Sequence, residues 1–209
     1  MEELWFRPLV WTDYRLAMSF IVIIPTILII WSLVRQAEAI SRLLIIYWRV
    51  ASLLMITVYL LVPAWGIENS AFENLCGQIG FITALVARIL IPISLWFWVD
   101  LNDEIKDLPP SFLKLVVVSW RWAMTVYCSL GVIASVPFLS CAFSLDLLSS
   151  PFCQVWIEAP LGYRSIVHSD ATQGFIGFLG LLGLSVYVLY FAYFLLIRLG
   201  KQGRLALEQ

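Results

Sequence analysis

Residues 78–99 read QIGFITALVARILIPISLWFWV, an apolar run long enough to cross a bilayer, with one charged side chain, Arg88, near its middle. About 20 apolar residues in helical rise span the hydrocarbon core. An arginine at that depth costs roughly 3 kcal/mol on insertion scales, so it is expected to face a bundle interior and a partner instead of lipid. Pro92 follows one turn later and cannot donate to the carbonyl of Arg88, which predicts a kink and a spare acceptor.

Working outward, the same reading finds runs at 16–34, 43–65, 112–139 and 174–197. The expected fold class is therefore all-α: a polytopic membrane helix bundle with about five transmembrane helices, forming a single transmembrane domain over residues 1–209. The runs are separated by 35–42, 67–77, 100–111 and the longer stretch 140–173, read as an outer loop. Composition agrees, because 62% of residues are apolar and 13% charged, against about a quarter charged in a soluble domain. A net charge of −1 leaves no basic surface for nucleic acid. Many of the tryptophans lie near the ends of the runs, where amphipathic rings favour the bilayer interface.

Five spans put the termini on opposite sides. With the N-terminus outside, the inner side carries Arg35, Arg42, Lys106, Arg198, Lys201 and Arg204, and the outer side carries Arg7, Arg15 and Arg164. The positive-inside rule thus favours an outer or lumenal N-terminus and a cytoplasmic C-terminus. Ala37-Glu38-Ala39 resembles a signal-peptide cleavage site, but the acidic start (Glu2, Glu3), the length of the apolar run and Arg35 argue for a retained helix. Trp5, Phe6, Leu9, Val10 and Trp11 are expected along the interface before it, with Pro8 weakening a continuous helix there.

Arg49 and Arg121 also sit inside apolar runs. Arg49 lies about 9 Å from its span's start at 1.5 Å per residue, so it can snorkel toward the inner headgroups beside Arg42. Arg121 is flanked by Trp120 and Trp122 and shares heptad-like spacing with Lys114, Thr125, Cys128, Val132 and Ser135, a polar stripe expected to face the interior or a partner. Arg88 has two readings. One is a structural cation satisfied by carbonyls and by hydroxyls such as Tyr59, Tyr187 or Tyr190; the other is a buried cation that holds an anionic or carbonyl-bearing ligand. Asp100 is the expected internal carboxylate partner for Arg121 and Arg49, opening an acidic connection with Asp103, Glu104 and Asp107. Arg49, Arg88, Arg121 and Asp100 are thus the candidate ligand or partner site.

The fifth run opens with Gly174, Gly177, Gly180 and Gly183, a small-residue face for close helix packing or for docking another protein. The face continues through Tyr187, Tyr190 and Phe194; no strand precedes the glycines, which argues against a cofactor-binding loop. Cys141 and Cys153 share one predicted outer loop at a spacing compatible with a disulfide, the alternative being buried thiols. One histidine, His168, supplies neither bis-histidine haem ligation nor a zinc site, so no metal is expected. His168, Asp170 and nearby serines lack any nucleophile motif, and no mid-span acid offers a proton relay. The chain is therefore read as leaning away from enzymatic activity, with no cofactor predicted, though bound lipid or pigment is compatible with it.

The stretches LWFRPLVWTDYRLA, RLLIIYWRVASLLMITVYLL, ARILIPISLWFWVDLNDEI, SWRWAMTVY and YVLYFAYFLLIRLGKQGR together resemble a family of cyanobacterial integral membrane proteins with no established activity. The resemblance takes in the three membrane arginines and Asp100. It implies a photosynthetic cell and either the thylakoid or the plasma membrane. Two functions follow as expectations: a non-enzymatic accessory or assembly factor for a larger membrane complex, possibly a photosynthetic one, or a carrier or binder of a small or lipid-like anion through the arginines. Membrane lipids are the expected surroundings in both.

Overall fold

The computed structural model describes residues 4–66 and 70–206. Glu2, Glu3 and the Glu68 end of the 67–77 connection lie outside them. Among the described residues the chain is helical with no strand. Five helices are long and apolar enough to cross a membrane: α1 (Arg7–Val34), α2 (Glu38–Ala64), α3 (Ala71–Trp96), α5 (Phe112–Phe143) and α7 (Gln173–Lys201). Between them in the chain lie the shorter helices α4 (Val99–Asp107) and α6 (Pro151–Val167) and a single helical turn at Leu145–Leu148.

The helices outrun most of the apolar runs: α2 begins at Glu38, α3 at Ala71, α5 reaches Phe143 and α7 Lys201. Helix α1 starts at Arg7, because Pro8 falls in the first turn, where its missing N–H costs no hydrogen bond. Helix α3 continues through Pro92 and stops at Trp96, three residues before the apolar run does; Trp98 is extended and α4 restarts at Val99. The 140–173 stretch is largely helical, not a loop: α6 opens with Pro151 at its first turn and buries Cys153, Val155, Ile157 and Pro160. At 17 residues, with Gln154, Glu158, Arg164 and Ser165 in it, it is shorter and less apolar than the five spans.

The chain forms two compact units, one of Met1–Arg15, Leu53–Val86 and Ile133–Tyr187, the other of Leu16–Ser52, Ala87–Val132 and Val188–Gln209. In the first, Leu61, Ala64, Phe81, Cys141, Ala142, Leu148, Cys153 and Ile157 make a core, with Trp65, Phe138, Phe152 and Trp156 packed on it. A disulfide joins Cys141 to Cys153, Cα atoms 5.9 Å apart. Gln154 ties its helix to two other chain segments: its Oε1 accepts from the Gly66 N–H at 3.1 Å, and its Nε2 donates to the Ala64 and Leu148 carbonyls at 3.0 and 2.9 Å.

In the second unit, α1 contains a wide π-helical turn at Met18–Ile23, just before Pro25. Proline offers no N–H to the carbonyls one turn behind it, so these need other donors. The Tyr47 hydroxyl donates to the Ile21 carbonyl at 2.8 Å and the Trp120 indole to the Phe20 carbonyl at 3.0 Å. The two donor rings meet edge to face, centroids 5.0 Å apart. One backbone irregularity thereby fixes α1, α2 and α5 to one another.

Candidate functional site: a cleft between α3, α4 and α5

The break at Phe97–Trp98 turns the chain so that α4 runs beside the start of α5. Val99, Asn102, Asp103 and Lys106 recur on one face of α4, and Lys114, Val118, Arg121 and Trp122 on one face of α5, by the i, i+3, i+4 spacing of a helix. With Trp96 and Ile105 they line a cleft of about 590 Å³ within the second unit, a size typical of small-molecule sites at roughly 300–1,000 Å³.

Three hydrogen bonds hold the walls. The Lys114 ammonium donates at 2.6 Å to both the Lys106 and Leu108 carbonyls, placing positive charge at the C-terminal end of α4. The Asn102 amide donates to the Trp96 carbonyl at 3.1 Å, closing the end of α3. Pro109 and Pro110 follow, and α4 cannot run on into them.

Arg121 is the chemically distinctive lining residue. It is 3% exposed. Its Nη2 donates to the Leu95 carbonyl at 2.7 Å and to the side-chain oxygen of Asn102. The guanidinium lies 4.1 Å from the centre of the Trp96 ring, and its Nε is buried with no acceptor among the described residues. The Trp96 indole is fixed in turn by donating to the Thr125 hydroxyl at 2.8 Å, which donates to the Arg121 carbonyl. Among the described residues no carboxylate reaches ion-pair distance of Arg121. Its partners are neutral, so the charge itself is unbalanced locally. Elsewhere in the cleft the positive charge of Lys106 is balanced by Asp103 at 2.8 Å.

Asp100 is not the partner of Arg121. Its carboxylate accepts from the Leu101 N–H at 2.9 Å and from the Ala206 N–H at 2.6 Å, so it secures the C-terminal segment at the α3–α4 joint. Arg204 adds to that attachment, donating from Nε to the Phe97 carbonyl at 2.8 Å. Arg49 is exposed and donates to the Tyr190 hydroxyl at 3.1 Å, so that hydroxyl serves Arg49. Arg88, 7% exposed, lies 5.5 Å from the centre of the Tyr127 ring. Gly131 makes room for it: a methyl group there would overlap Nη1 and come within 2.8 Å of Cζ. The structure therefore places the three arginines on separate partners, and of the four candidates only Arg121 lines the cleft.

Three of the four glycines that open α7 face α2 in the first unit. A methyl at Gly177 would come within 2.8 Å of Pro63, at Gly180 within 3.1 Å of Leu60 and at Gly183 within 3.3 Å of Ile56. Gly174 has nothing within 4 Å. Cys76 and Cys128 are buried thiols. His168 meets the Tyr59 hydroxyl at 2.6 Å. Among the described residues no cluster of three His, Cys, Asp or Glu side chains could hold a metal ion.

Asn102, Trp96, Gly131 and Glu158 escape a reading that searches for opposite charges. Asn102 is neutral, and only the turn at Trp98 brings it to Arg121. Gly131 lies one turn after Tyr127, a spacing that could have flagged an arginine seat on α5. Glu158, on α6, accepts from Arg7 Nε at 2.9 Å and from the Trp11 indole at 3.0 Å.

These features define an all-α, multi-pass membrane protein with a cation-bearing cleft. The chain belongs to the family described as "Protein of unknown function (DUF3177)", whose model matches residues 7–207. No curated protein and no solved structure matches it.

Proposed function

We propose that this is a non-enzymatic membrane protein that binds a small or lipid-like anion in the α3–α4–α5 cleft. One observation carries the reading: Arg121 is buried in a cleft of ligand size with only neutral hydrogen-bond partners. A buried cation without a counter-charge is costly, and a bound anion removes that penalty. Of the residues expected to form the site, Arg121 acts in it, while Asp100 and Arg49 serve packing. The excess of lysine and arginine on one set of connections supports a cytoplasmic C-terminus, and the cleft, near Lys106 and Lys114, then opens toward the cytoplasmic leaflet. The sequence resemblance supports a cyanobacterial thylakoid or plasma membrane.

Thermal unfolding of the purified protein in an uncharged detergent tests this. Anions, soluble or lipid, are expected to raise Tm, and Arg121→Gln is expected to abolish the rise. A Tm indifferent to every anion in the wild-type protein sinks the reading.

An accessory role in a larger membrane complex draws on a different observation: one side of α7 leaves Phe175, Phe178, Leu182, Val186 and Leu189 exposed. Co-purification of a defined complex in mild detergent, lost on widening the outward face with Leu182→Trp, is the result expected of that role. Recovery of the protein alone counts against it.

A further inference from the structure

We propose that the occupant of the cleft is a membrane glycerolipid with a singly charged phosphodiester headgroup, its phosphate oxygens on Arg121 and its acyl chain along α5; this rests on the anion-binding reading above.

Three observations converge on an amphiphile. The first is charge. Of the cations in the cleft, Lys106 is balanced by Asp103, and Lys114 is engaged by two carbonyls. The guanidinium of Arg121 remains, with Nε buried and lacking an acceptor. One negative charge balances Arg121, the one lining cation that is fully buried, and a planar guanidinium suits an oxyanion with more than one acceptor oxygen.

The second is the lining. Val99, Ile105, Val118, Trp96 and Trp122 supply apolar wall around a single buried cation. A fully hydrated ion gains nothing from such walls, whereas a molecule with a charged end and an apolar body matches both parts. The third is continuity with the lipid-facing surface. Trp122 is 58% exposed, and Val126 and Leu130, at the next two turns of α5, are 57% and 62% exposed. This stripe runs about 12 Å from the cleft at 1.5 Å per residue, an apolar track for a chain whose headgroup is held behind it. The Trp96 and Trp122 rings, centroids 4.8 Å apart, flank the cleft, and tryptophan favours the level at which glycerol esters meet the headgroup.

Native mass spectrometry in an uncharged detergent tests the proposal. The probes are phosphatidylglycerol, phosphatidylcholine and water-soluble glycerophosphoglycerol, the same singly charged phosphodiester without acyl chains, each added to the wild-type, Arg121→Gln, Asn102→Asp, Trp122→Ala and Arg49→Gln proteins. Wild type is expected to retain phosphatidylglycerol about tenfold better than phosphatidylcholine, the scale of one charge-assisted hydrogen bond. Asn102→Asp supplies Arg121 with an internal carboxylate. It is expected to keep the protein folded and to erase the preference, even if Arg121→Gln fails to accumulate. Trp122→Ala is expected to weaken lipid retention, and Arg49→Gln, outside the cleft, to leave it unchanged. Retention of glycerophosphoglycerol as strongly as phosphatidylglycerol, with Trp122→Ala silent, overturns the lipid assignment and leaves the anion reading standing. A preference that survives in Asn102→Asp overturns both.

Discussion

The two units of this chain are stabilised by different chemistry. The first uses devices familiar from proteins in water: a disulfide inside an apolar core, a glutamine bridging three segments, and an ion pair between Arg7 and Glu158 reinforced by the Trp11 indole. The second sets buried cations beside aromatic rings, Arg88 by Tyr127 and Arg121 by Trp96, and it repairs a proline-interrupted helix with Tyr47 and Trp120. Ring faces and carbonyls attract a cation less strongly than a carboxylate does. A unit built on them keeps its charge available to a ligand, whereas an ion pair would cancel it. The first unit is thus organised for packing, and the second carries the candidate site.

The comparison breaks most readily at Arg121. Exchanging charges, with Asp100→Arg and Arg121→Asp in one protein, is expected to leave accumulation as low as in the Arg121→Asp variant. An uncompensated buried carboxylate costs about 3–5 kcal/mol, and the two positions do not face each other. Recovery of the double variant to wild-type levels would show that the cation of the second unit does have a carboxylate partner.

In the first unit the disulfide carries the next largest effect. Cys153→Ser is expected to lower stability by about 2–4 kcal/mol, with the wild-type protein falling to the same Tm under reductant. Mobility on a non-reducing gel that is identical with and without reductant would remove the bridge from the account. Gly131→Ala then probes the arginine seat of the second unit. Overpacking there is expected to cost about 1–3 kcal/mol, and Arg88→Ala in the same chain should return part of it. Independent, additive losses would mean that Gly131 does not seat Arg88. The smallest change is expected from Glu158→Gln, about 1 kcal/mol, because Arg7 is half exposed and the amide oxygen can still accept from Trp11. A loss several times larger would give the first unit an electrostatic dependence like that of the second.

Particular residues show how far the sequence could be read. The run at 78–99 announces a span because hydropathy is summed over one continuous segment, and the same holds for the other four. Arg121 is legible as a site residue for a similar reason: a cation within an apolar run is anomalous wherever the helices lie. Asp100 shows where that logic stops. It shares an approximate depth with Arg121, but depth does not set direction, and the extended residue Trp98 turns Asp100 toward the C-terminal segment and Asn102 toward the guanidinium. Helix α6 was hidden for another reason, since an amphipathic helix of 17 residues with Pro160 inside it has neither the length nor the uniform apolarity of a span.

The sequence by itself determined a membrane protein with five apolar helices and cations that demand an explanation, because the bilayer acts on each segment separately and excludes any backbone that is not internally hydrogen-bonded. Only the tertiary structure decided that Arg121 meets Asn102 and Trp96, that Arg88 needs Gly131, that three of the glycines of α7 press against α2, and that α3, α4 and α5 enclose a cleft. Those pairings depend on helix rotation and on the angle of one two-residue break. Many distant contacts set both together, and no local window of sequence contains them.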